Sequence, residues 1–230
     1  MKLVLNKNAV VNRVYLEKCT SPVYVIDDVL VNPHEVISFA ENTAYFLAPG
    51  RDGTLYPGIR DLMPKAYENM LQELMVLINE SNKEFYFHRA LLSLVTLSES
   101  ELSDYHSLPH VDSIDKNEYA SVHYFCDEAF GGTSLYSYKP RDIMQIGEGD
   151  VNIFQEALDK NQEKGYLQGD NSLFKRELKI EAKFNRLVMY QSNILHCADI
   201  NTNKSISKSP TNGRLTVASF YQLNDRQPSI

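Results

Sequence analysis

The chain has 230 residues, a formal net charge of −7 and 43% hydrophobic residues. That is enough apolar material for a sizeable core, and one domain over 1–230 is the default. An acidic balance without any lysine or arginine run argues against nucleic acid or an anionic membrane as the main partner.

Cys19, Cys126 and Cys197 form no Cys-x-x-Cys spacing, and no apolar run approaches the roughly 18 residues of a membrane span. A reduced, cytoplasmic setting without a signal peptide is therefore expected.

Taken in order, residues 10–16 and 23–26 read as short strands about a Thr20-Ser21-Pro22 turn. Asn32, Pro33 and Glu35 predict a capped helix start, followed by Val36, Ile37 and Ala40 as an apolar stripe. Pro49-Gly50-Arg51-Asp52-Gly53 stops that helix, and the loop is expected to run on through Tyr56-Pro57-Gly58-Ile59-Arg60. After Pro64, the residues Tyr67, Met70, Leu71, Leu74, Leu77 and Ile78 recur at helical spacing and predict a second helix with one buried face.

From Phe85 onward the chain turns to β-formers. Strands are expected over 85–97, 120–126, 133–138, 174–180, Arg186–Gln191 and 214–223, with a polar loop at 99–108 and another at 201–213. The stretch 140–170 is polar and reads as an insertion, apart from a short helix capped by Asp150 and carrying Ile153, Phe154, Ala157 and Leu158. Helices gathered in 1–84 and short strands over 85–230 predict a mainly β fold, a double-sheet jelly roll backed by helices, in preference to a generic α+β domain.

His110 and Asp112 carry the first chemical signal. Side chains two apart on an extended chain leave the same face, so imidazole and carboxylate can grip one divalent ion. The third ligand must come from far along the chain, and His196, after the apolar run around Arg186–Gln191, is the best candidate. Two histidines and one carboxylate leave open positions for a chelating co-substrate and dioxygen, the donor set of non-haem Fe(II) oxygenases. The same donors suit catalytic zinc, but no His-Glu-x-x-His motif accompanies them. A surface histidine and a loop aspartate are the bland alternative. His106 could replace a ligand or sit beside the site, and Cys197 should point away from His196.

These residues belong to an ordered series: His110-Val111-Asp112, Phe130-Gly131-Gly132-Thr133, Asn185-Arg186-Leu187-Val188 leading to His196, and Arg214-Leu215-Thr216. The series resembles the 2-oxoglutarate/Fe(II)-dependent dioxygenase superfamily, nearest to its prolyl-hydroxylase-like branch, over the chain from Phe85 onward. The resemblance implies a double-stranded β-helix, with Fe(II) held by His110, Asp112 and His196. It also implies 2-oxoglutarate as co-substrate, with succinate and CO₂ as products. Arg214 is then the residue for the distal carboxylate, because a planar, permanently charged guanidinium forms two parallel hydrogen bonds to it. Thr216 shares its face and can donate a hydroxyl. Tyr124 lies where that branch has a tyrosine in the same role. His123 points to the other face and reads as structural.

The expectation is an oxygenase that hydroxylates a small molecule, amino acid or peptide. Its rival is a non-catalytic metal- or ligand-binding jelly roll. The loop 49–60 and the insertion 140–170 are expected to border the site's mouth. Arg60 and Arg141 are possible substrate contacts, with solvated loop charges as the simpler reading.

Overall fold

The structure, a computed structural model, describes residues 1–226 except Asn79, Ser81 and Ser205. It is mainly β. Seven antiparallel strands run in the order β1-β2-β8-β5-β10-β4-β3, and three more in the order β7-β6-β9. The first sheet comprises β1 (Val10–Val14), β2 (Val23–Asp27), β3 (Gly58–Leu62), β4 (Lys83–Val95), β5 (Glu118–Tyr124), β8 (Arg186–Gln191) and β10 (Leu215–Asp225). The second comprises β6 (Gly131–Tyr138), β7 (Phe174–Glu181) and β9 (His196–Ile200).

The period of two along each central strand divides the apolar residues between two cores. On β8, Leu187 and Met189 face outward into a cluster with Val36 and Ala40 of α1 (His34–Asn42) and with Tyr67, Met70, Leu71 and Leu74 of α2 (Lys65–Leu77). The intervening Val188 and Tyr190 face the other way, toward Leu135 of β6 and Ile180 of β7. Each fully buried side chain of this kind contributes roughly 1.5–3 kcal/mol, so a one-residue slip of β8 would exchange its two faces and lose both cores. A third core covers the far side of the smaller sheet. There Tyr136, Tyr138, Phe174 and Cys197 pack on Ile153 and Ala157 of α3 (Ile153–Lys160).

The sequence reading needs four corrections. Asn32 does not cap α1 with its side chain. Instead it accepts from Val4 N at 3.0 Å and donates to the Lys2 carbonyl at 2.8 Å, tying down the N-terminal segment. Gly58–Leu62 is an edge strand rather than loop, paired along β4. Gly58 permits that pairing, because a Cβ there would meet the Leu94 carbonyl oxygen at 2.0 Å. His196 does not end the strand Arg186–Gln191. It begins β9, in the opposite sheet. Asp150 closes a 3-10 turn, and α3 starts at Ile153 after Asn152.

Candidate active site

The backbone brings His110 and His196 face to face. His110 N donates to the His196 carbonyl and His196 N to the His110 carbonyl, both at 2.9 Å. That reciprocal pair is one rung of an antiparallel ladder, so the two side chains leave the same side. Their ring centroids lie 4.4 Å apart. Asp112 lies in the bend that follows, where its N–H donates to the Ser192 carbonyl at 2.9 Å, and its Oδ2 comes 3.3 Å from His196 Nε2. One donor atom from each of His110, Asp112 and His196 lies within 4.8 Å of the other two.

Hydrogen bonds also set the state of these donors. His196 Nδ1 lies 2.8 Å from the Ile194 carbonyl, which can only accept, so Nδ1 carries a hydrogen. The neutral ring therefore presents its Nε2 lone pair to the cleft, where Asp112 Oδ2 is 3.3 Å away. Burial alone would raise the Asp112 carboxyl, but His196 outweighs it and holds the group below the ordinary range. Burial alone would likewise depress His196, but Asp112 holds it above the ordinary value. His110 stands at the mouth with its side chain 56% exposed, and what desolvation it has, followed by His196, pushes it below the ordinary value. Two nitrogens and one carboxylate, with no thiolate, suit a divalent first-row metal with open positions. A metal needs the Nε2 lone pair, so its binding competes with protonation of His196, which Asp112 favours.

From this cluster a cleft runs between the sheets to Arg214, past Thr133, Tyr190, Thr216 and Phe220. Arg214 precedes β10 and is 5% exposed. Its Nη2 donates to the Gly132 carbonyl at 2.5 Å, while its buried Nε has no partner. No carboxylate among the described residues pairs with it. Asp199, on β9, is taken by Arg176 at 3.3 Å and by Ser134 at 3.0 Å. Thr216 stands on the same face as Arg214, two residues on. Tyr124 stands one step back. It is fully buried, its hydroxyl lies 2.5 Å from Thr133 Oγ1, and its ring lies 5.7 Å from the Arg214 guanidinium carbon.

Among the remaining sequence candidates, His106 turns its Nδ1 to Ser103 and is not in the triad. Cys197 packs with Tyr136 in the third core and also contributes to the cleft wall. His123 faces the helices, as its position on β5 requires, and bonds Tyr67 and Asn185 at 3.2 Å each. Arg141 pairs with Glu156 and, at 3.8 Å, Asp150. Arg60 is not a solvated loop charge. Its side chain is 11% exposed and lines the cleft near Asp112. The insertion 140–170 mostly backs the smaller sheet. It reaches the cleft's flank only through Tyr166, which clusters with Tyr56 and Ile200.

Sequence reasoning missed Tyr56, which lines the cleft with a buried, unpartnered hydroxyl. Tyr56 stands in the loop two residues ahead of β3, where no strand period marks it.

A search of curated proteins finds no match. Among solved structures, the chain is similar to AviO1 from Streptomyces viridochromogenes Tue57, with a TM-score of 0.41, 11% identity, and coverage of 87% of this chain and 88% of that one. It is also similar to an N-substituted L-amino acid dioxygenase from Burkholderia ambifaria AMMD, with a TM-score of 0.42, 10% identity, and coverage of 89% and 86%. At the level of sequence the assignment is direct: a family model matches residues 7–221, and the chain belongs to that family of unknown function, DUF6445.

Proposed function

We propose that the protein is an Fe(II)- and 2-oxoglutarate-dependent oxygenase that hydroxylates a small molecule, amino acid or peptide. The observation that carries this is the pairing of two features in one cleft: a two-histidine, one-carboxylate donor set, and a buried arginine with no carboxylate partner among the described residues. A buried charge left without a counter-charge is costly, so a site that keeps one is built for an anionic ligand.

The strand order supports the fold that goes with this reading, a double-stranded β-helix over 85–230 with 1–84 as its support. The central strands β4-β10-β5-β8 face a second layer in which the His110 segment bridges β9, followed by β6 and β7. Two facing antiparallel layers of four are the makings of a jelly roll.

In this reading His110, Asp112 and His196 hold the metal, and the Ile194 carbonyl fixes the His196 tautomer. Fe(II) with 2-oxoglutarate supplies dioxygen activation at this position. The overall balance is 2-oxoglutarate, O₂ and a C–H bond giving succinate, CO₂ and an alcohol. Arg214 receives the distal carboxylate, and the Thr216 hydroxyl donates beside it. Tyr124 keeps its hydroxyl on Thr133 and offers the guanidinium a ring face. Ala120, Val122, Ala218 and Phe220 line the walls and exclude water, which strengthens the arginine–carboxylate interaction.

The test is an anaerobic titration of metal-free protein with Fe(II) and then 2-oxoglutarate. The expected result is a weak visible charge-transfer band that needs both. A protein that binds Fe(II) but never develops the band would be a metal-binding jelly roll of another kind.

A further inference from the structure

Arg60 is the charged group in the cleft that the reading above leaves without a task. The two carboxylates of 2-oxoglutarate are accounted for, one at the metal and one at Arg214. Arg60 lies elsewhere. In the register of the larger sheet it stands opposite Ser93 on β4, which stands opposite Thr216 on β10. Directly opposed residues share a face, so Arg60 points into the same cleft from a strand two places away, roughly 10 Å across the sheet.

Its guanidinium is fixed in advance. Nε donates to Ser93 Oγ at 3.0 Å, and Nη1 donates to Thr54 Oγ1 at 3.2 Å. The guanidinium carbon lies 3.9 Å from the centroid of the Tyr56 ring, close enough for cation–π stacking. Asp52 offsets the charge only in part. It reaches Nη1 at 3.5 Å, while its oxygens already accept from the Thr54 hydroxyl at 2.9 Å and the Thr54 amide at 3.1 Å. Nη2, with two N–H donors, has no acceptor among the described residues. A long side chain held this way has already lost its rotamer freedom, so a ligand that meets it does not have to order it.

We infer that Arg60 is the recognition residue for an anionic group, a carboxylate, on the primary substrate. The substrate class is then a small carboxylic acid that enters between the metal ligands and the wall formed by Tyr56 and the edge strand carrying Arg60, with its carboxylate on Nη2 and a C–H bond turned toward the triad. This rests on the oxygenase reading for the placing of 2-oxoglutarate.

The test uses the protein loaded with Mn(II) and 2-oxoglutarate, which is redox-silent and relaxes nearby nuclei. Acetate, benzoate and N-acetylglycine are titrated against it, each beside its uncharged amide, with ligand NMR relaxation as the readout. At least one acid is expected to show a saturable enhancement that its amide lacks. Arg60→Gln should weaken that binding by at least tenfold, and Arg60→Lys should restore it in part. Mn(II) and 2-oxoglutarate affinities should stay within twofold in both variants. If no acid shows a saturable enhancement, or if acids and amides bind alike, the inference is overturned. Unchanged acid binding in Arg60→Gln, or loss of Mn(II) or 2-oxoglutarate instead, overturns it equally. Failure of the wild type to bind 2-oxoglutarate would strike the oxygenase reading itself and is seen before any acid is added.

Discussion

Neighbouring residues on β5 open onto two buried polar clusters that differ in one respect. His123 faces the helices, where Tyr67 and Asn185 satisfy both ring nitrogens. The Asn185 side chain in turn binds the Leu30 amide and carbonyl at 2.9 Å each. Tyr124 faces the cleft, where Arg214 Nε and the Tyr56 hydroxyl are buried without partners. Both clusters are polar, buried and held by the same sheet. A network that closes on itself stabilises and specifies a fold, whereas one left open carries a standing cost unless something else completes it. The contrast holds between these two clusters and is not a general mark of a site, since the hydroxyls of Tyr136, Ser219 and Tyr221 are also buried without partners.

The largest effect should come from the closed side. Burial pushes His123 down to about 3, well below the roughly 6.5 of an unfolded histidine. Between those values the unfolded chain holds a proton that the native chain does not. The stability associated with a neutral His123 is thus fully present above about pH 6.5 and is lost as pH falls toward 3, by up to about 1.4 kcal/mol per pH unit. Urea unfolding of wild type and His123→Gln between pH 7 and 5 should show this slope in the former and its loss in the latter. Parallel slopes would mean that His123 is not held neutral.

Next come the metal donors. Structural zinc sites with four ligands bind with about 10–16 kcal/mol, or about 3 kcal/mol per ligand, so His196→Ala should weaken divalent-metal binding by on the order of 100-fold. Calorimetry with Mn(II) or Fe(II) reads this directly, and wild-type affinity in the variant would remove His196 from the donor set.

On the open side, Arg214→Leu should change two quantities in opposite directions. Hydrogen bonds to charged groups contribute about 1.5–3 kcal/mol, so 2-oxoglutarate affinity should fall at least about tenfold with metal affinity unchanged. The ligand-free protein should melt a few degrees higher, since replacing an uncompensated buried charge by an apolar side chain is worth about 1–2 kcal/mol and each kcal/mol moves Tm by about 2–4 °C. A lower Tm would mean that the network at Arg214 is closed after all.

The smallest effect belongs to Thr216. Thr216→Val keeps the shape and removes one neutral donor, so 2-oxoglutarate should bind about three- to tenfold more weakly, as one net hydrogen bond predicts. Binding as tight as wild type would show that Thr216 only packs.

Local pattern carried much of this structure. The helical stripe of Tyr67, Met70, Leu71 and Leu74, the bounds of Arg186–Gln191 and the i,i+2 pair of His110 and Asp112 depend on periods of 3.6 and two, which a chain displays without folding. Even so, Asn32 obeyed a tertiary contact with Val4 in place of its capping rule.

Long-range pairing decided the rest. His196 starts a strand in the opposite sheet because its backbone bonds to His110, some eighty residues earlier, and no local signal encodes that rung. Tyr56 and Arg60 read as loop because Pro57 and Gly58 are poor strand formers. Gly58–Leu62 became an edge strand paired along β4, and that pairing turned Arg60 into the cleft, while Tyr56 lines the cleft from the loop just before it. The sequence by itself determined which donors exist and on which face of their own segment they stand. Whether a buried polar group ends up satisfied depends on groups far away in the chain, and so only the tertiary structure distinguished the closed cluster at His123 from the open one at Arg214.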